Sequence, residues 1–133
     1  MAQIKIPKEK VAIVLIEPQN DFLSEGGTMY AHIKEQLAER HVIANLQDLL
    51  EKARGQVAKI FYCPFHPFDP GFPELKKGGP ACEGLRGIEM DMEADWGTGA
   101  WLRGTPGPEI IKELTPQPGD VVVEGKKTLD AFH

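Results

Sequence analysis

Two ionisable residues stand where a fold could put them to work. Glu17 closes the apolar run "VAIVLI" (Val11 to Ile16), and Pro18 follows at once. Lys126 comes just after a second apolar run, in "PGDVVVEGK". A carboxylate near an ammonium in a partly dry crevice can act as a general base while the ammonium stabilises developing negative charge. On spacing alone, a structural ion pair or two solvated strand ends is the commoner arrangement. His66, in "PFHPFDPGF", is a weak metal candidate. A catalytic metal site needs about three protein ligands, and Asp69 is the only other obvious donor nearby. His66 therefore reads as a satisfied loop histidine. Cys63 ends an apolar run and reads as a small buried hydrophobe. Cys82, in "GPACEG", has no neighbouring base and reads as inert.

The elements that must position these residues follow from periodicity. The β-branched run at Val11–Ile16 suits a strand buried on both faces, as in a parallel sheet. Pro18 cannot continue a central ladder, so the strand ends near Glu17. "SEGGTMY" reads as a loop. Val42, Leu46, Leu49, Leu50 and Ala53 recur at helical spacing, with Gly55 placed as a C-terminal cap. "QVAKIFY" (Gln56 to Tyr62) reads as a second strand, so strand, helix and strand imply a parallel, right-handed crossover. Residues 64–108 hold most of the prolines and glycines, and no periodicity persists there. A loop of that length is usually functional or disordered. Its aromatics, Phe65, Phe68, Phe72, Trp96 and Trp101, argue against disorder. The expectation is an excursion folded over the site. "TPGPEIIKEL" reads as a short helix capped by Thr105 with Pro106 in its first turn. Val121–Glu124 reads as a third strand, and "KKTLDAFH" as the start of a further helix.

These signals give an α/β fold, a mostly parallel sheet with flanking helices in a Rossmann-like three-layer arrangement. The 133 residues form one domain, 1–133, with an excursion at 64–108. Three short strands and two helices make a thin core, and a doubly wound sheet normally continues. The sequence halts as a helix begins, with Leu129 and Phe132 at core-facing positions. The expectation is either a missing C-terminal part or a partner that completes the sheet.

Bulk properties exclude several classes. A net charge of −5, with basic residues scattered among acids, makes nucleic acid a poor partner. No apolar stretch approaches the roughly 20 residues of a membrane span, and "MAQIKIPKEK" lacks the apolar core of a signal peptide. The two cysteines suit a reducing compartment. The expectation is a soluble, cytoplasmic protein without a membrane partner.

The residues also resemble a known family. "VLIEPQNDFLSEGG" is similar to the opening motif of the isochorismatase-like hydrolases, which include nicotinamidases and other cysteine amidohydrolases. "NLQDLLEKARGQVAKIFYCPFH" looks like that family's first helix and second strand. "RGTPGPEIIKELTPQPGDVVVEGKKTLDAF" resembles its Gly-Thr-x-Gly loop and its strand leading to a lysine before an Ala-Phe pair. The resemblance spans nearly the whole chain, as the N-terminal part of such a domain.

It implies a hydrolase that cleaves a C–N, amide-type bond of a small molecule through a cysteine thioester. Carried over by position, Glu17 takes the acid's place and Lys126 the lysine's, with Phe22 and Trp96 as candidate substrate-binding aromatics. Glu stands where Asp is usual, one methylene longer. The nucleophilic cysteine is matched by neither Cys63 nor Cys82, and is expected outside this chain. His66 sits where nicotinamidases place a metal-binding histidine. Their accompanying Asp is Pro64 here, and their later histidines are unmatched. The resemblance thus implies no metal and no cofactor. The expected partners are a small-molecule substrate and either a homo-oligomer or a complementing C-terminal segment. The competing reading is a non-catalytic half-domain that serves as an oligomer building block or binding module. A flavodoxin-like nucleotide-binding domain would want a Gly-rich phosphate loop after the first strand, and "EPQNDF" is not one.

Overall fold

The apolar runs become strands, and their alignment sets the frame for everything else. The computed structural model describes residues 5–71, 73 and 101–125. Strand β1 (Ala12–Ile16) pairs in parallel with β2 (Lys59–Cys63), from Ala12 beside Lys59 to Ile16 beside Cys63. Strand β3 (Val121–Val122) pairs in parallel with the other edge of β2, and the sheet order is β1-β2-β3. Three helices lie between β1 and β2: α1 (Asn20–Leu23), α2 (Tyr30–Glu39) and α3 (Val42–Ala53). This is the α/β, parallel-sheet fold with flanking helices that the sequence implied.

The core sits on one face of the sheet. Leu15, Ile60 and Tyr62 pack with Leu50 of α3 and with Ile111 and Leu114, while Ile13, Ile43, Leu46 and Val57 close around them. Burying each such side chain contributes about 1.5–3 kcal/mol relative to exposure. The helical spacing held for Leu50 and Ala53, which are buried, but Leu49 is 45% exposed. At about 100° per residue, Leu49 falls on the flank of the stripe that Leu50 and Ala53 define. Gly55 closes α3 with φ +74, a left-handed conformation that glycine adopts without steric cost.

Four sequence expectations need correction. A strand buried on both faces was expected at Val11–Ile16, yet Val14 and Ile16 are 54% and 58% exposed. They share one face of β1, and among the described residues no second helical layer covers it. The "SEGGTMY" loop runs into α2, a helix with no buried residue. Its apolar stripe, Tyr30, Ile33 and Leu37, is narrower than that of α3 and only half-buried. "TPGPEIIKEL" forms no α-helix. Only a 3-10 turn, Lys112–Leu114, appears, because Ile110 instead bridges to Gln19 and Ile111 donates its N–H to the Pro18 carbonyl. Strand β3 is two residues long rather than four, with the Val123 N–H still reaching the Tyr62 carbonyl at 2.8 Å.

At the amino end of the sheet, a polar network ties α3 to β3. Arg54 donates to Asp120 at 2.9 Å and lies 3.4 Å from the Tyr62 hydroxyl. The Asp120 side chain is 7% exposed, and its carboxylate also accepts the Gln117 N–H. Burial pushes the Tyr62 phenol above its ordinary 10.0, and the nearby Asp120 charge adds to that, while Arg54 opposes it. A raised folded-state value means that the folded chain holds the proton longer than the unfolded chain. The contribution is intact below about pH 10 and is lost as pH rises further. Thermal unfolding between about pH 9 and 11 should therefore fall more steeply in the wild type than in Tyr62→Phe, by up to one proton's worth of slope. Parallel curves would remove Tyr62 as the source.

Candidate active site

The carboxyl end of β1 does not simply fray into a loop. The ladder continues one residue past the strand, with the Glu17 N–H on the Cys63 carbonyl at 3.1 Å. Glu17 itself has φ +54, in the left-handed region. A non-glycine residue there stores about 1–3 kcal/mol of strain and persists only where its surroundings over-determine it. Glu17 is neither buried nor fully exposed. Its carboxylate is therefore delivered at the carboxyl end of a parallel strand, the edge where ligands of open α/β sheets bind.

The three polar residues that follow Pro18 form a hub. Gln19 is fully buried. Its Nε2 donates to the carbonyls of Phe65 (2.9 Å) and Pro108 (2.6 Å), and its Oε1 accepts the Phe65 N–H at 2.8 Å. Asn20 donates its N–H to Glu109 O and its Nδ2 to Pro106 O. Asp21 is 4% exposed. Its Oδ1 accepts from the Thr28 hydroxyl at 2.8 Å and its Oδ2 from the Trp101 N–H at 3.0 Å. Loops 64–69 and 101–110 have little regular structure, so their inward-facing backbone groups need such partners.

Behind the hub lies an aromatic cluster. Phe65, Phe68 and Trp101 are buried together, with Phe22, Met29 and Leu102 against them. Phe22 and Trp101 stack at 5.7 Å between ring centroids, tilted by 31°. The described parts of the 64–108 excursion therefore meet one another. Phe68 donates to Trp101 O at 2.8 Å, and Arg103 donates back to Phe68 O at 2.9 Å. Arg103 also pairs with Asp69 and lies 3.2 Å from His66 Nε2. His66 thus lies beside a cation. Among the described residues, no group of three His, Cys, Asp or Glu is placed to hold a metal ion.

The expected site residues divide as follows. Glu17 stands at the strand end and Phe22 in the aromatic cluster. Cys63 is buried on β2 beside the strand end, as expected. Lys126, Trp96 and Cys82 lie outside the described residues. Gly125, next to Lys126 in sequence, follows β3 at the same edge of the sheet as Glu17. By strand spacing, β3 lies about 10 Å from β1. Sequence reasoning missed Gln19, Asp21 and Trp101. The signal available was three consecutive polar residues between an apolar strand and Phe22, in a place where a solvated loop would not need them. A cavity of about 460 Å³ opens beside Asp21, lined by residues 24–28 and 105–107, and does not reach Glu17.

Comparison with known proteins bears on this geometry. The family model of the isochorismatase domain matches residues 11–133. The chain belongs to the isochorismatase domain family. Among curated relatives, the ureidoacrylate amidohydrolase RutB of Rhizobium rhizogenes is 25% identical over 126 residues, covering 90% of this chain and 49% of the relative. RutB of Agrobacterium fabrum is 27% identical over 129 residues, covering 90% and 53%. A solved cysteine hydrolase from Pseudomonas syringae pv. phaseolicola superposes with a TM-score of 0.63 at 22% identity, covering 97% of this chain and 51% of that one. An isochorismatase-like hydrolase from Alkaliphilus metalliredigens gives 0.55 at 20% identity, covering 89% and 52%. The chain spans about half the length of the curated relatives it matches. For this isochorismatase-family chain, the two structural likenesses show the shared fold.

The hub yields a packing prediction. A Cβ on Gly107 would lie 2.3 Å from Asp21 Oδ2, and Thr28 and Trp101 prevent that carboxylate from swinging away. Gly107→Ala should cost about 2 kcal/mol in chemical denaturation. A loss below about 0.5 kcal/mol would mean that the carboxylate yields freely.

Proposed function

We propose that this chain carries the acid and the lysine of a cysteine hydrolase that cleaves an amide-type C–N bond of a small molecule. The observation that carries the reading is Glu17, a strained carboxylate-bearing residue held at the carboxyl end of a parallel strand. Family membership supplies the chemistry. The nucleophilic thiol belongs to a segment outside these 133 residues. Glu17 takes the thiol's proton, the thiolate attacks the carbonyl carbon, and Glu17 passes that proton to the departing nitrogen as the C–N bond breaks and a thioester forms. Glu17 then takes a proton from water as it attacks the thioester. Lys126 favours the thiolate and the developing negative charge. Phe22 and Trp96 border the substrate. The RutB relatives make small ureido or amide compounds bearing a carboxylate the first substrates to assay.

A second reading draws on one feature. Val14 and Ile16 leave an apolar face of β1 open, and β1 is an edge strand of the described sheet. A non-catalytic half-domain, acting as an oligomer building block or binding module, would use that surface.

The test is amide hydrolysis by protein that includes the thiol-bearing segment. Glu17→Gln and Lys126→Ala should each lower kcat by at least about 100-fold, the usual scale of general acid–base catalysis. Wild-type turnover in either variant would sink the role given to that residue. A fully active enzyme whose β1 face stays monomeric would retire the second reading.

A further inference from the structure

We infer that Gln19 is the positioning residue of the candidate acid, its buried amide fixing the backbone just beyond Glu17 so that Glu17 is kept left-handed. The role in catalysis rests on Glu17 being the acid, but the clamp itself does not.

The strain at Glu17 needs restraint on both sides. Upstream, the Glu17 N–H is committed to the β2 ladder through Cys63 O. Downstream, Pro18 has a fixed φ, and its carbonyl accepts the Ile111 N–H at 3.0 Å. The Gln19 N–H then returns to the Glu17 carbonyl at 2.8 Å, closing a tight turn over Pro18. That turn holds only if residue 19 cannot move. The Gln19 side chain prevents movement with three hydrogen bonds to segments 46 and 89 residues away in sequence. Both amide donors and the amide oxygen are used. A glutamate would keep the shape but, when ionised, would set oxygens against two carbonyls. A leucine would leave the partners buried without hydrogen bonds.

The neighbouring hub residue repeats the device. Trp101 is also a non-glycine residue in the left-handed region, with φ +51, and Asp21 takes its N–H at 3.0 Å. Residues 19 and 21 thus each bind a segment of constrained backbone through a buried polar side chain.

A stability cycle separates this role from that of an ordinary core plug. Glycine tolerates φ +54 without strain, so Glu17→Gly should raise Tm by about 3 °C in the otherwise wild-type chain. In the Gln19→Leu background Glu17 is free to relax, so the same glycine should gain less than about 1 °C. Equal gains in both backgrounds, or no gain in either, overturn the inference. Should Gln19→Leu not fold, Gln19→Glu takes its place in the same cycle. In protein bearing the thiol segment, Gln19→Glu should also lower kcat about tenfold or more with little change in KM. Coupling in the cycle with unchanged kcat would keep the clamp and overturn its role in positioning the acid, whose own test is Glu17→Gln. Additive stabilities would discard the clamp and leave the acid untouched.

Discussion

Buried backbone must find hydrogen-bond partners, and this chain meets that requirement at the end of β1 through side chains. The two loops that fold across the carboxyl edge of the sheet contain too many prolines and glycines to pair with themselves throughout. Gln19, Asn20 and Asp21 complete them. The Gln19 amide joins Phe65 to Pro108, and the Asp21 carboxylate joins Thr28 to Trp101. Each bond is worth only about 1 kcal/mol net, but leaving one of these groups unpaired costs more. The hub is thus an obligation of the fold as well as a feature of the site.

The opposite end of the sheet has a complementary task. Arg54, Asp120 and Tyr62 join the end of α3 to the start of β3, close to the turn that begins the third strand. A half-buried ion pair of this kind fixes geometry more surely than it adds stability. With the amino edge tied there and the carboxyl edge tied by the hub, the parallel strands are held in register. The ends of β1 and β3 therefore emerge at the same edge of the sheet, with β2 between them.

Much of the frame was legible in local pattern. The β-branched run before Pro18, the apolar stripe of α3 and the run at Lys59–Cys63 each carry their own period, and each formed close to where it was expected. Where the pattern misled, a competing contact explains it. The residues of "TPGPEIIKEL" have helical spacing, but Ile110 and Ile111 satisfy their backbone against Gln19 and Pro18 instead. Helix α2 was missed because its stripe, Tyr30, Ile33 and Leu37, is narrow and only half-buried.

The sequence by itself determined that Glu17 would end a strand: an apolar run gives the strand, and proline cannot extend the ladder. It also determined the family, since the motifs lie in order along nearly the whole chain. Only the tertiary structure decided that Glu17 adopts a left-handed backbone and that Gln19 and Asp21 are buried. The partners of their side chains lie between 46 and 89 residues away in sequence, apart from Thr28. A local period records the face that a residue presents. It carries no record of which distant backbone group will be brought against that residue.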